Sequence, residues 1–225
     1  MKLRATLMCL FMPASLQAVE AHSCRNGFFP AFAGQVRQAE VIADADQQVH
    51  FRDDAIGCPE DESCVRTAYL VNGDKLLVGS QADDWACAWY FGKKREFVGW
   101  LPARNLRVDT AAARPAAEDL VGRWLPIAGS NQVVISRPSP GGPLSIEGEA
   151  TWHGGVNSVG ESIVHVGAFI SQARPNGDLL NIVEGDEEYA CRVHMQYVAH
   201  NLVVTDNSRC GGLNVRFDDV YRKAP

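Results

Sequence analysis

The hydrophobic positions of this chain come in short runs that alternate with polar ones, the period of two expected of strands with one buried face. The stretch from Leu202 to Arg222 shows this best. Leu202, Val203 and Val204 belong to one run. Asp206-Asn207-Ser208 and Gly211-Gly212 then supply residues that tolerate unusual backbone angles. Leu213, Val215 and Phe217 follow in alternation with Asn214, Arg216 and Asp218. Two strands joined by a turn are expected here, the second running from Leu213 to Tyr221.

Upstream, strand-like runs cover Glu40–Ala43, Val65–Val71, Lys75–Ser80, Trp85–Phe91 and Phe97–Leu101. Asn72-Gly73-Asp74 is a strong hairpin signal, and Asp83-Asp84 and Gly92-Lys93-Lys94 mark further turns. Pro102–Leu106 suits a single tight helical turn before a last short strand at Arg107-Val108. Residues 44–62 are mostly polar and acidic, broken by Val49 and Phe51, and read as a long loop. Residues 24–38, with Phe28, Phe29, Phe32 and Pro30, read as an irregular lead-in. Short strands with regular turns suggest a small barrel over this half.

Residues 109–118, DTAAARPAAE, have no periodicity and form the expected linker. Beyond it, strand-like pieces fall at Val133–Ser136, Leu144–Ala150, Ile163–Ile170, Leu179–Glu184, Tyr189–Val198, Leu202–Thr205 and Leu213–Tyr221. Turns are expected at residues 139–143, at His153-Gly154-Gly155, at residues 175–178 and at residues 199–201. The second half, 119–225, therefore reads as an antiparallel meander that closes or nearly closes, with no helix. The expected fold class is all-β, in the order leader 1–21, first unit 22–108, linker 109–118 and second unit 119–225.

The first residues read as an export signal. Lys2 and Arg4 precede an apolar run from Ala5 to Leu16, and Val19-Glu20-Ala21 offers a cleavage site. That places the mature protein in the periplasm or outside the cell. Of seven cysteines, Cys9 lies in the leader, leaving Cys24, Cys58, Cys64, Cys87, Cys191 and Cys210. An even number in an exported chain reads as three disulfides. A hairpin about His200-Asn201 would set Cys191 opposite Cys210, at the short separation a bridge needs. The other four pair most simply as Cys58–Cys64 and Cys24–Cys87. A formal charge of −6 argues against a nucleic-acid partner, and no apolar run after the leader is long enough to span a membrane.

Two resemblances rest on particular residues. Leu76-Leu77-Val78 after Asn72-Gly73-Asp74, then Asp84-Trp85, then Val98-Gly99-Trp100-Leu101-Pro102-Ala103-Arg104-Asn105-Leu106, resemble the bacterial SH3-like (SH3b) family over about residues 39–108. The clipped loop 58–64 and the insertion Lys93-Lys94-Arg95-Glu96 depart from its usual pattern. The start Gly122-x-Trp124 resembles the lipocalin-like (calycin) signature. That likeness implies a structural pair in which Arg222 stacks on Trp124.

Trp85, Trp89, Tyr90 and Trp100 are the candidate binding residues, because Trp and Tyr around one groove can stack on peptides or sugars. No catalytic motif stands out. There is no Gly-x-Ser-x-Gly elbow, Cys210 has a disulfide partner nearby, and His153, His165 and His194 lack metal-ligand spacing. No cofactor and no metal are expected. Acidic pairs such as Asp53-Asp54, Asp83-Asp84, Glu187-Glu188 and Asp218-Asp219 read as solvated turns. The expected role is non-catalytic binding of a cell-wall peptide or glycan. One alternative is inhibition of a basic wall-degrading enzyme such as lysozyme, through Glu60-Asp61-Glu62 and Asp186-Glu187-Glu188. Another is carriage of a small apolar ligand in the second barrel.

Overall fold

A computed structural model describes residues 23–25, 27–93, 95–111, 114–185 and 187–225. The expected leader, Lys94 and Asp186 lie outside the described residues. The protein is all-β, built from two antiparallel sheets. The first holds β1 (Arg37–Val41), β2 (Val49–Arg52), β3 (Val65–Leu70), β4 (Lys75–Ala82), β5 (Trp85–Phe91), β6 (Glu96–Pro102) and β7 (Leu106–Val108). Their order across the sheet is β3-β2-β6-β5-β4-β1-β7. The expected tight turn is the 3-10 turn Ala103–Asn105. Residues 44–62 are not loop throughout. Val49 and Phe51 drop into the core and draw Val49–Arg52 into β2, which pairs with both β3 and β6.

A short helix α1 (Ala117–Leu120) leads into the second sheet and buries Leu120. No helix was expected there. The sheet holds β8 (Gly122–Leu125), β9 (Gln132–Ser136), β10 (Leu144–Val156), β11 (Ser162–Ala173), β12 (Leu179–Glu184), β13 (Cys191–Val198), β14 (Asn201–Asp206) and β15 (Asp219–Lys223). The order β11-β10-β9-β8-β15-β14-β13-β12 is a meander whose two edge strands approach each other, giving a nearly closed barrel.

Two expectations on this half are corrected. His153-Gly154-Gly155 is not a turn, because β10 runs through it to Val156. The Trp152 ring lies against Gly154, 2.6 Å from where a Cβ would sit. Leu213–Asp218 is not strand either. The chain between β14 and β15 is irregular, with Ser208 and Asn214 at positive φ. Val215 and Phe217 nonetheless point into the barrel while Leu213 is exposed, so the alternation reported burial rather than ladder pairing.

Apolar side chains collect in three clusters. One fills the second barrel around Trp124, Phe169, Phe217 and Tyr221. One lies inside the first sheet around Val41, Phe51, Leu70 and Leu101. The third lies between the sheets. Leu77, Cys87, Trp89, Val98 and Trp100 of the first sheet meet Val198, Val203 and Val220 of the second, with Cys24, Phe29, Phe32 and Val36 of the lead-in packed among them.

The disulfides are Cys24–Cys87, Cys58–Cys64 and Cys191–Cys210. The pairing matches the expectation, but the register behind the third does not. The β13–β14 turn is Ala199-His200, both at positive φ, with Val198 opposite Asn201. Cys210 therefore lies two residues beyond the position facing Cys191. It returns to Cys191 because the chain leaves the ladder at Asn207, whose side chain binds the Arg192 N–H and the Ala190 carbonyl.

Candidate functional site

The four expected binding aromatics do not share a groove. Alternation along β5 puts Trp85, Cys87 and Trp89 on one face, with Trp100 opposite Cys87 on β6. Tyr90 points to the other face, where its hydroxyl lies 3.5 Å from Asp74. Trp89 is 1% exposed, packed against Phe29 at 5.3 Å and Phe91 at 6.3 Å between ring centres. Trp100 is also buried, and its Nε1–H donates to Asp54 at 3.1 Å. Trp85 is half-buried under the Arg52 guanidinium at 4.9 Å. Arg52 in turn donates to the carbonyls of Pro59, Glu60 and Asp61, holding the clipped loop in place. Alternation tells which residues share a face but not what covers it. The signal for the cover was the apolar content of the lead-in, Phe29 and Phe32.

The expected stack of Arg222 on Trp124 is also corrected. Lys223 lies opposite Trp124 in register, and its ammonium sits 5.8 Å from the ring. Arg222, one residue earlier, faces the other way, as the pleat requires. Its guanidinium lies over Phe91 of the first sheet at 4.8 Å.

A groove lies on the second barrel, beside the Cys191–Cys210 bridge. Its volume is about 710 Å³, and Val166, Ala168, Tyr189, Glu149, Glu184 and Arg209 line it. The irregular loop after β14 forms one wall. Gly211 bridges to Gly167 on β11, and the Gly212 N–H donates to the Val166 carbonyl at 3.0 Å. The contact requires glycine on both sides. A Cβ on Gly167 would sit 2.5 Å from the Cys210 carbonyl, and one on Gly211 would sit 2.6 Å from the Gly167 Cα. Tyr189 stands at the rim, 78% exposed, under the Arg209 guanidinium at 5.1 Å. Along β11 the outward side chains Val164, Val166 and Ile170 are all exposed, beside Glu147 and Glu149 on β10.

Asp206 fixes the base of this loop. Its carboxylate is buried and accepts from the N–H groups of Ser208 and Phe217, with Arg216 Nε at 3.5 Å. Burial and the nearby Asp206 carboxylate raise the pKa of Asp218. Asp219 is pushed up to about 7, first by burial and then by the Glu96 and Asp218 carboxylates. The candidate histidines are dispersed. His165 stacks on Trp152 at 5.2 Å, and His194 bonds Asn181. Among the described residues no three His, Cys, Asp or Glu side chains gather where a metal could sit, and no helix is long and apolar enough to cross a membrane. The Cys210 sulfur is bonded to Cys191, so it is not a thiolate.

Comparison with models of known families, with curated proteins and with solved structures finds no match.

Proposed function

We propose that the protein is an exported, non-catalytic binding protein of the bacterial cell envelope, holding a peptide or glycan. The groove beside Cys191–Cys210 carries this reading. Its volume falls in the range of ligand sites, its lining sets Ala150, Val166 and Ala168 beside Glu149, Glu184 and Arg209, and an exposed Tyr ring stands at its rim. The leader-like residues 1–21 and the three disulfides support an oxidising, extracytoplasmic setting. The likeness of residues 39–108 to SH3-like modules supports the cell wall as target. The site itself moves, because the aromatic face of the first sheet packs against the chain's own lead-in.

The purified protein should co-sediment with peptidoglycan, and Tyr189→Ala should lower the bound fraction several-fold without changing the far-ultraviolet spectrum. Equal sedimentation of Tyr189→Ala would remove the groove from the reading, and no sedimentation of either would remove the ligand. The carboxylates of Glu147, Glu149 and Glu184 favour a second reading, inhibition of a cationic wall-degrading enzyme. That reading expects slower lysozyme turbidity clearing, relieved by salt. The apolar carrier has less support, because Trp124, Phe169, Phe217 and Tyr221 fill the barrel interior.

A further inference from the structure

A second groove, about 320 Å³, opens where the two sheets meet. From the first sheet it takes Gln38, Lys75 and Phe91. From the second it takes His200, Asn201 and Arg222. No Asp or Glu lines it, although acidic residues outnumber basic ones, 27 to 21, in the whole chain. The fold makes this concentration of cationic and amide groups in three ways. The β13–β14 turn has Ala199 and His200 at positive φ, and His200 lines the groove with its Nδ1 3.1 Å from the Tyr197 hydroxyl. Asn201 is fixed by its own bonds to the Val198 and Ala199 carbonyls. Arg222 projects from β15 across the junction onto the Phe91 ring.

The state of the two cations is the telling observation. Arg222 is held by stacking alone. Among the described residues no hydrogen bond or ion pair uses its five donors, and none uses the Lys75 ammonium. By register Glu40 lies opposite Lys75 and is paired with Arg107 at 2.9 Å, while Glu96 lies opposite Phe91 outside the groove lining. A stacked guanidinium keeps its planar fork directed outward, the geometry that takes a carboxylate or phosphate through two parallel hydrogen bonds. The Lys75 side chain lines the same groove and would add a point charge to the same anion.

We infer that the groove between the sheets is an oxyanion site, taking a carboxylate or phosphate group between Arg222 and Lys75 with His200 at its edge. This site is separate from the groove beside Cys191–Cys210 and does not depend on it. Because its two cations come from different sheets, the site exists only when the sheets are docked.

The test is a titration of the full chain followed by nuclear magnetic resonance. Sodium acetate and inorganic phosphate are the probes, each at ionic strength held constant with sodium chloride. The Arg222 Nε–H and the His200 ring should shift with saturation in the millimolar range for at least one probe. Saturation by acetate alone assigns a carboxylate ligand, and saturation by phosphate alone assigns a phosphate. Lys75→Gln and Arg222→Gln should each weaken binding at least five-fold. Arg222→Lys should recover part of the loss, and Arg123→Gln, on β8, should change nothing. Shifts that grow linearly, that chloride alone reproduces, or that survive Lys75→Gln and Arg222→Gln would overturn the inference. Since these side chains are exposed, an unchanged far-ultraviolet spectrum confirms that each variant is folded.

Discussion

Gln196→Leu should detach the lead-in from the second sheet. Gln196 is fully buried on β13 and spends its whole hydrogen-bonding capacity. Its Oε1 accepts from the N–H groups of Gly34 at 2.8 Å and Val36 at 3.0 Å. Its Nε2 donates to the Val36 carbonyl at 3.0 Å and to Asp178 at 2.8 Å. Leucine has a similar volume, so little of the loss comes from packing. The loss comes from the partners left behind. The Val36 N–H stays buried and unsatisfied at about 1–2 kcal/mol. The Val36 carbonyl keeps its bond from Arg37 at 2.9 Å, and it, Gly34 and Asp178 each lose about 0.5 kcal/mol. The sum is about 2.5–3.5 kcal/mol. With a urea slope near 2 kcal/mol per molar, the midpoint should fall by roughly 1.2–1.8 M. Tryptophan fluorescence is the readout, because Trp89 lies in the cluster that the lead-in completes. A loss under about 1 kcal/mol would refute the argument, as it would mean that the lead-in is held by apolar contact alone.

The pH dependence follows from Asp219. Its ordinary pKa is 3.8 in the unfolded chain and about 7 in the fold, so the folded state binds the extra proton between those values. Its contribution is therefore fully present below about pH 4 and is lost as pH rises through 7, by at most about 4 kcal/mol. Asp219→Asn should flatten that decline and raise stability at pH 8, read from urea midpoints at several pH values; an unchanged slope would count against it. Trp89→Ala should cost about 3–5 kcal/mol, because the ring is buried between the sheets. A stable Trp89→Ala variant that loses only ligand binding would contradict that placement. Replacing Cys191 and Cys210 by alanine opens a bridge of sequence separation 19 and should cost about 3 kcal/mol. In the same variant, hydrogen exchange should quicken at residues 207–214 before it does in β13.

The all-β class was legible because it rests on local signals, strand period and turn residues, whereas the Cys191–Cys210 pair was reached through a register two residues off and Cys24–Cys87 spans a separation of 63. Three failures share one cause, dependence on what lies across a gap. Val49–Arg52 looked like loop because its polar neighbours hid two inward side chains. Arg222 was one residue out of register with Trp124, and in a pleated strand one residue reverses the face. Trp89 and Trp100 looked like a ligand platform because nothing in β5 or β6 states that residues 24–36 lie over them. The groove beside Cys191–Cys210 was hidden for a related reason. Its wall is an irregular loop whose path depends on a glycine-to-glycine contact with a strand more than forty residues earlier.

The lead-in also has a mechanical consequence. Residues 24–36 act as a keystone, with sheet on either side and a single covalent rivet, Cys24–Cys87, fastening them to β5. Each half keeps a private interior that owes nothing to this segment. A reductant acting on the rivet would then loosen the joint between two intact bodies before it melted either one. Any ligand that bridges both halves would feel the redox state of its surroundings through that joint.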